Sequence, residues 1–139
     1  MVSADASVQI SSVTERLCRV LQHFPFIDQA VLFGSLARGA ERPDSDLDVA
    51  VRGARALTAG QRRDITGALA LDFNRPVDLV DLATVGQPLL DQIVDTGVQV
   101  VGTPHQWGDL IYRNIMDHED FVPYQKRILE GRRKAWINS

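Results

Sequence analysis

In the stretch DLDVAVR, residues 46–52, side chains alternate in character: Leu47, Val49 and Val51 fall on one side of an extended chain, and Asp46, Asp48 and Ala50 on the other. The period of two predicts a β-strand with one core face and a second face that begins with two carboxylates. Alternate residues on a strand lie roughly 6.5–7 Å apart at Cα. Like charges at that spacing oppose each other's ionisation unless something positive sits between them. The stretch therefore predicts a sheet and, at one end of it, a need for a cation.

The flanking sequence supplies the other elements. Ile10, Val13, Leu17, Val20, Leu21 and Phe24 recur at helical spacing, which predicts an amphipathic helix capped by Ser7 or Ser11 and stopped near Pro25. QAVLFG, residues 29–34, is a short apolar run closed by Gly34, as expected of a buried strand entering a turn. Thr58 stands where it would cap a helix carrying Ile65, Leu69 and Phe73, with NRP ending it, and PVDLVDLA, 76–83, reads as a third strand. QPLLDQIVDTG predicts a short helix with Leu89, Leu90, Ile93 and Val94 inward and Gly97 as its stop, followed by VQVVG as a fourth strand. From Gln106 to Asn138 the tail reads as helical in two pieces, with Asp120 a cap and Pro123 in a first turn. The expectation is an α/β domain with a mixed sheet over residues 1–104 and a helical C-terminal extension over 105–139.

Composition narrows the function. A chain of 139 residues with 45% hydrophobic and 24% charged side chains has enough apolar material for one domain with a buried core. Its net charge of -3 gives no general pull toward polynucleotides, so no direct nucleic-acid substrate is expected. Cys18 is single and His23, His105 and His118 are scattered, which excludes an internal disulfide and a Cys-His zinc site and leaves Cys18 as a core residue. The opening MVSADASVQI has no basic segment followed by an apolar one, and no later apolar run approaches a membrane span, so a cytoplasmic protein without membrane contact is expected.

The chemistry lies between residues 34 and 48. Gly34 and Ser35, at the mouth of a strand and the start of a short helix, would offer close backbone approach, N–H donors and a hydroxyl to a phosphate. Asp46 and Asp48 offer hard oxygen donors to Mg²⁺, and paired metals suit in-line phosphoryl chemistry. A third acid would complete the set. Asp78 and Asp81 are three apart, so they face opposite sides of their strand and only one can point inward. Arg38 and Arg42, in the loop between, are candidates for phosphate contact or plain solvated charges, and Ser45 reads as a turn residue.

Gly34-Ser35, ten intervening residues and Asp46-Leu47-Asp48 resemble the motif of the polymerase-β-like nucleotidyltransferases. VLFGSLARGAERPDSDLDVAV, 31–51, is similar to the signature of the minimal nucleotidyltransferase (MNT) subgroup, and RPVDLVDL, 75–82, to the segment that carries its third carboxylate. More loosely, YRNIMDHEDFVPYQKRILEGRR, 112–133, resembles the ending of MntA-type antitoxins, which pair with HEPN-domain ribonuclease toxins. The resemblance implies the polymerase-β-like fold and two Mg²⁺ ions held by Asp46, Asp48 and Asp78, with Asp81 as the fallback. It implies ATP as substrate, gripped by Gly34, Ser35 and Arg38, and transfer of AMP to a tyrosine of a HEPN toxin partner. Two other readings stand beside it: a small-molecule nucleotidyltransferase of the aminoglycoside-modifying type, which the short tail after Gly102 disfavours, and a binding-only antitoxin with a vestigial site, which the complete set of acids disfavours. In the tail, Trp107, Ile111 and Ile115 form a helical stripe for this chain's own core or a partner groove. Lys126, Arg127, Arg132, Arg133 and Lys134 form a basic cluster, either a solvated face or a partner contact.

Overall fold

The computed structural model describes residues 2–39 and 45–117, with side chains from residue 12 onward. Arg42, Asp120, Pro123, the basic cluster Lys126 to Lys134 and the second tail helix lie outside the described residues. Helix α1, Val2–Leu21, runs through Ser7 and Ser11 instead of starting at them. No Gly or Pro interrupts that span, so nothing forces a start at either serine. It ends four residues before Pro25, and Phe24 lies in the turn beyond, its N–H donating to the Leu21 carbonyl.

Strand β1, Gln29–Phe33, pairs antiparallel with β2, Leu47–Arg52, in a register that sets Phe33 opposite Asp48. Helix α2, Ala59–Phe73, starts at Thr58 with a capping box: the Thr58 hydroxyl accepts the Gln61 N–H while the Gln61 side chain accepts the Thr58 N–H. It ends at Asn74, whose left-handed φ of 51° lets its N–H return to the Ala70 carbonyl. This helix is the crossover that allows β3, Val77–Asp81, to lie parallel to β2. Helix α3, Leu89–Thr96, leads to β4, Val98–Val101, antiparallel to β1, and helix α4 spans residues 104–117. The strand order is β3-β2-β1-β4, a mixed sheet as the sequence predicts.

Both faces of the sheet are covered. Leu47, Val49 and Val51 of β2 pack with Leu17 of α1 and Ile65 and Leu69 of α2. On the other face Ala50 packs with Val31, Phe33, Leu90, Ile93 and Leu110, under α3 and α4. The face that carries the carboxylates is therefore apolar along most of its length, and the acids occupy only its end. Among the described residues no helix is long and apolar enough to cross a membrane. Cys18 is half-buried at the edge of the core and not within it as the sequence reading had it; its thiol donates to the Val100 carbonyl at 3.1 Å, and burial pushes its pKa up.

Gly97 ends α3 as the sequence predicts, for a packing reason, whereas the inward face of α4 departs from the sequence reading. Gly97 follows α3 with an ordinary φ of -76°, so it does not act by left-handed freedom. A Cβ there would collide with the Ile93 carbonyl and stand 2.6 Å from Val31 Cγ1; glycine lets the chain end press against β1. In α4, started by reciprocal Thr103–Gln106 bonds, the inward face is Trp107, Leu110 and Asn114, whereas Ile115 is half-exposed beside Tyr112 and Met116. Polar anchors set this rotation. The Arg113 guanidinium donates to the Leu82 and Val85 carbonyls, and the Asn114 amide joins Gln87 at 2.7 Å and Asp91 at 3.1 Å. A count of apolar spacing does not see them.

Candidate active site

The chain leaves β1 through Gly34, at a φ of 75° that only glycine adopts at little cost. The Arg38 N–H donates to the Gly34 and Ser35 carbonyls and the Gly39 N–H to the Leu36 carbonyl, so residues 34–39 form consecutive turns and not the short helix expected. Leu36 and Ala37 are buried beneath them, Ser35 is half-buried and Arg38 is exposed. Because Phe33 lies opposite Asp48, the turn that follows passes directly over the Asp48 carboxylate. A Cβ on Gly34 would overlap Asp48 Oδ2 and stand 3.0 Å from its Cγ. Gly34→Ala is expected to lose about 1–3 kcal/mol of stability in urea denaturation. Part of that loss should vanish when Asp48 is trimmed to alanine as well, the coupling that a double-mutant cycle reads.

The parallel register of β2 and β3 sets Asp78 beside Asp48, with side chains on one face, and Asp46 lies two residues before Asp48 at the strand's mouth. Asp46 and Asp78 are exposed and Asp48 is half-buried. Burial, then the Asp78 charge, then the Asp46 charge raise the Asp48 pKa above the usual carboxylate range. Asp48 is thus close enough to Asp78 and to Asp46 to sense both charges.

Asp81 is not with them. It is 2% exposed, its Oδ2 accepts the Leu57 N–H at 2.8 Å and its Oδ1 accepts the Ala83 N–H at 2.9 Å. It ties the loop before α2 to the turn after β3, a structural role in place of the one it held as fallback third acid. A carboxylate at a strand end that binds an N–H two residues on is an Asx turn, and Asp81-Leu82-Ala83 carried that signal in the sequence. Residues not singled out by the sequence also reach this region: Arg75 donates to the Ser45 carbonyl at 3.3 Å, and the Thr96 hydroxyl accepts the Gly34 N–H at 3.4 Å.

Among the described residues, no cationic side chain pairs with Asp46, Asp48 or Asp78, and no three His, Cys, Asp or Glu side chains form a metal cage by themselves. What the site presents is a partial set of hard oxygen donors, a charge conflict centred on Asp48, and a tight turn whose Ser35 side chain faces no hydrogen-bonding partner among the described residues. That combination suits an anionic ligand arriving with cations.

Residues 15–106 match the family described as Polymerase beta, Nucleotidyltransferase. The protein adenylyltransferase MntA of Shewanella oneidensis is 36% identical over 81 residues, a match that spans 58% of this chain and 58% of that protein. A crystal structure of a toxin-antitoxin with AMP-PNP superposes with a TM-score of 0.76 at 27% identity, covering 85% of this chain and 96% of that one. The crystal structure of the toxin-antitoxin MntA-HepT gives 0.70 at 25% identity, covering 85% and 94%.

Proposed function

Because the chain belongs to the polymerase-β nucleotidyltransferase family, we propose that it is an antitoxin enzyme that transfers AMP from ATP to a tyrosine of a HEPN ribonuclease toxin. The observation that carries this reading is the placing of Asp46 and Asp78 beside Asp48, whose carboxylate lies under the Gly34 turn. The choice of a protein acceptor is supported by the likeness to a protein adenylyltransferase and to a toxin-antitoxin with AMP-PNP. Residues 1–104 form the catalytic domain in this reading, and the extension that begins at 105 packs on it through Trp107 and Leu110.

Asp46, Asp48 and Asp78 would hold Mg²⁺, a partial set of carboxylates that substrate phosphates and water complete. When bound there, the metal neutralises the triphosphate and makes an acceptor hydroxyl easier to deprotonate. The Ser35 N–H and hydroxyl hold phosphate oxygens, and Arg38, exposed beside the turn, meets the departing pyrophosphate. Asp78, at the open edge of the cluster, orients the tyrosine hydroxyl and receives its proton. The tyrosine oxygen then bonds to the α-phosphorus as the bond to the pyrophosphate oxygen breaks, in line with it.

Intact-mass spectrometry after mixing the toxin with this protein and Mg-ATP is expected to show the toxin heavier by one or more AMP units. The modified toxin should stay inactive on RNA after this protein is removed, because an added anion repels RNA phosphate. Unchanged toxin mass with RNA cleavage stopped would establish a binding-only antitoxin instead. Adenylylation of a small hydroxylated compound with the toxin untouched would establish the small-molecule enzyme.

A further inference from the structure

We infer that Thr96 is a positioning residue for the nucleotide-gripping turn: its hydroxyl holds the Gly34 amide against the end of α3, so that the Ser35 donors are the ones left facing the triphosphate. The inference rests on the nucleotidyltransferase reading for what the turn grips, and on geometry alone for what holds the turn.

A threonine hydroxyl has one proton to donate. In Thr96 that proton is committed to the Gln92 carbonyl one helical turn back, at 2.8 Å, so the oxygen presents a lone pair to the Gly34 N–H at 3.4 Å. A bond of that length is longer than the usual amide range, and its effect is to orient more than to stabilise. The acceptor itself is on a rigid mount. Leu90 and Ile93 are fully buried, Gly97 has no room for a Cβ between the Ile93 carbonyl and Val31, and the Asn114 amide of α4 grips Asp91 near the start of the same helix. Thr96 is branched at Cβ, so few χ1 states compete with the one that makes both bonds.

The other side of the turn is equally constrained. Gly34 is buried and presses on Asp48 with no room for a Cβ, so rotating the peptide before Gly34 would also disturb the carboxylate below. Thr96 therefore fixes the spacing between two halves of the site: the Ser35 donors that hold phosphate and the Asp48 oxygens that hold metal. It touches neither nucleotide nor metal in this arrangement, and acts through Gly34.

The test compares Thr96→Val, nearly the same shape without the acceptor, and Thr96→Ser, which restores it, in the full chain with Mg-ATP and toxin. Phosphate grip is shared by ground and transition states, so the valine variant should raise KM for ATP about threefold to tenfold, the fold-change one net hydrogen bond represents, with kcat changed less than about twofold. Serine should return KM to the wild-type value. Amide hydrogen exchange adds a readout that needs no activity: the Gly34 amide should be protected in wild type and Thr96→Ser and exchange faster in Thr96→Val, with β1 amides unchanged. Equal KM in valine and wild type, no rescue by serine, or a Gly34 amide that exchanges like an open loop in the wild type overturns the inference. Should the valine variant fail to fold, the wild-type and serine exchange rates still decide. A wild-type protein that transfers no AMP, yet protects Gly34, overturns the functional reading and leaves the Thr96 contact established.

Discussion

The Asp46→Asn, Asp48→Asn double variant is expected to transfer no AMP and yet to melt no lower than the wild type at neutral pH without metal. In the proposed mechanism, loss of both carboxylates removes the principal anchor for cations beside the triphosphate, a loss of about 10³-fold or more in rate. The stability expectation follows from the raised pKa of Asp48, caused by burial and by the Asp78 and Asp46 charges. An acid whose folded pKa lies above its unfolded value favours the folded chain while protonated, below the ordinary aspartate range, and that contribution is lost as pH rises through the folded pKa. At neutral pH the ionised Asp48 is thus a liability that asparagine removes. The group is only half-buried, so solvent screening holds the gain to about 1 kcal/mol or less. Thermal melts at neutral pH and at a pH of about 3 should show the difference shrinking in acid, and labelled-ATP turnover reads the activity. A double variant that still transfers AMP would remove Asp46 and Asp48 from the chemistry; one that melts well below the wild type at neutral pH would mean that their charges are compensated within the fold.

Asp78 and Asp81 should separate cleanly into an activity effect and a stability effect. Asp78→Asn is expected to slow single-turnover transfer by roughly 10²-fold to 10³-fold, with a denaturation midpoint no lower than the wild type's, because the side chain is exposed, makes no hydrogen bond among the described residues and its charge opposes that of Asp48. Asp81→Ala is expected to cost about 3 kcal/mol, since it strands the Leu57 and Ala83 N–H groups in a site where the carboxylate is 2% exposed. Its transfer rate per folded molecule should stay near wild type. Transfer lost in an Asp81 variant of wild-type stability, with Asp78→Asn fully active, would reverse the identity of the third acid.

What the sequence by itself determined was whatever depends on backbone period and local chemistry. Leu47, Val49 and Val51 had to share a face because a strand repeats every two residues, and Thr58 had to cap α2 because a hydroxyl three residues before an amide-bearing side chain closes a capping box. The Gly34-Ser35 and Asp46-Asp48 spacing was legible as a candidate phosphate and metal site for the same reason: each half is built from neighbours in the chain. Tertiary structure decided everything that needed two distant segments. The placing of Asp78, and not Asp81, beside Asp48 came from a parallel register between two strands far apart in the chain. The packing roles of Gly34 and Gly97 arose from an approaching carboxylate in one case and an approaching helix carbonyl with Val31 in the other. The inward face of α4 was fixed by hydrogen bonds from Arg113 and Asn114 to the 82–91 segment, not by its apolar spacing. Contacts of this kind depend on where elements dock, and docking is set by the summed packing of the core, a quantity that no local window of sequence contains.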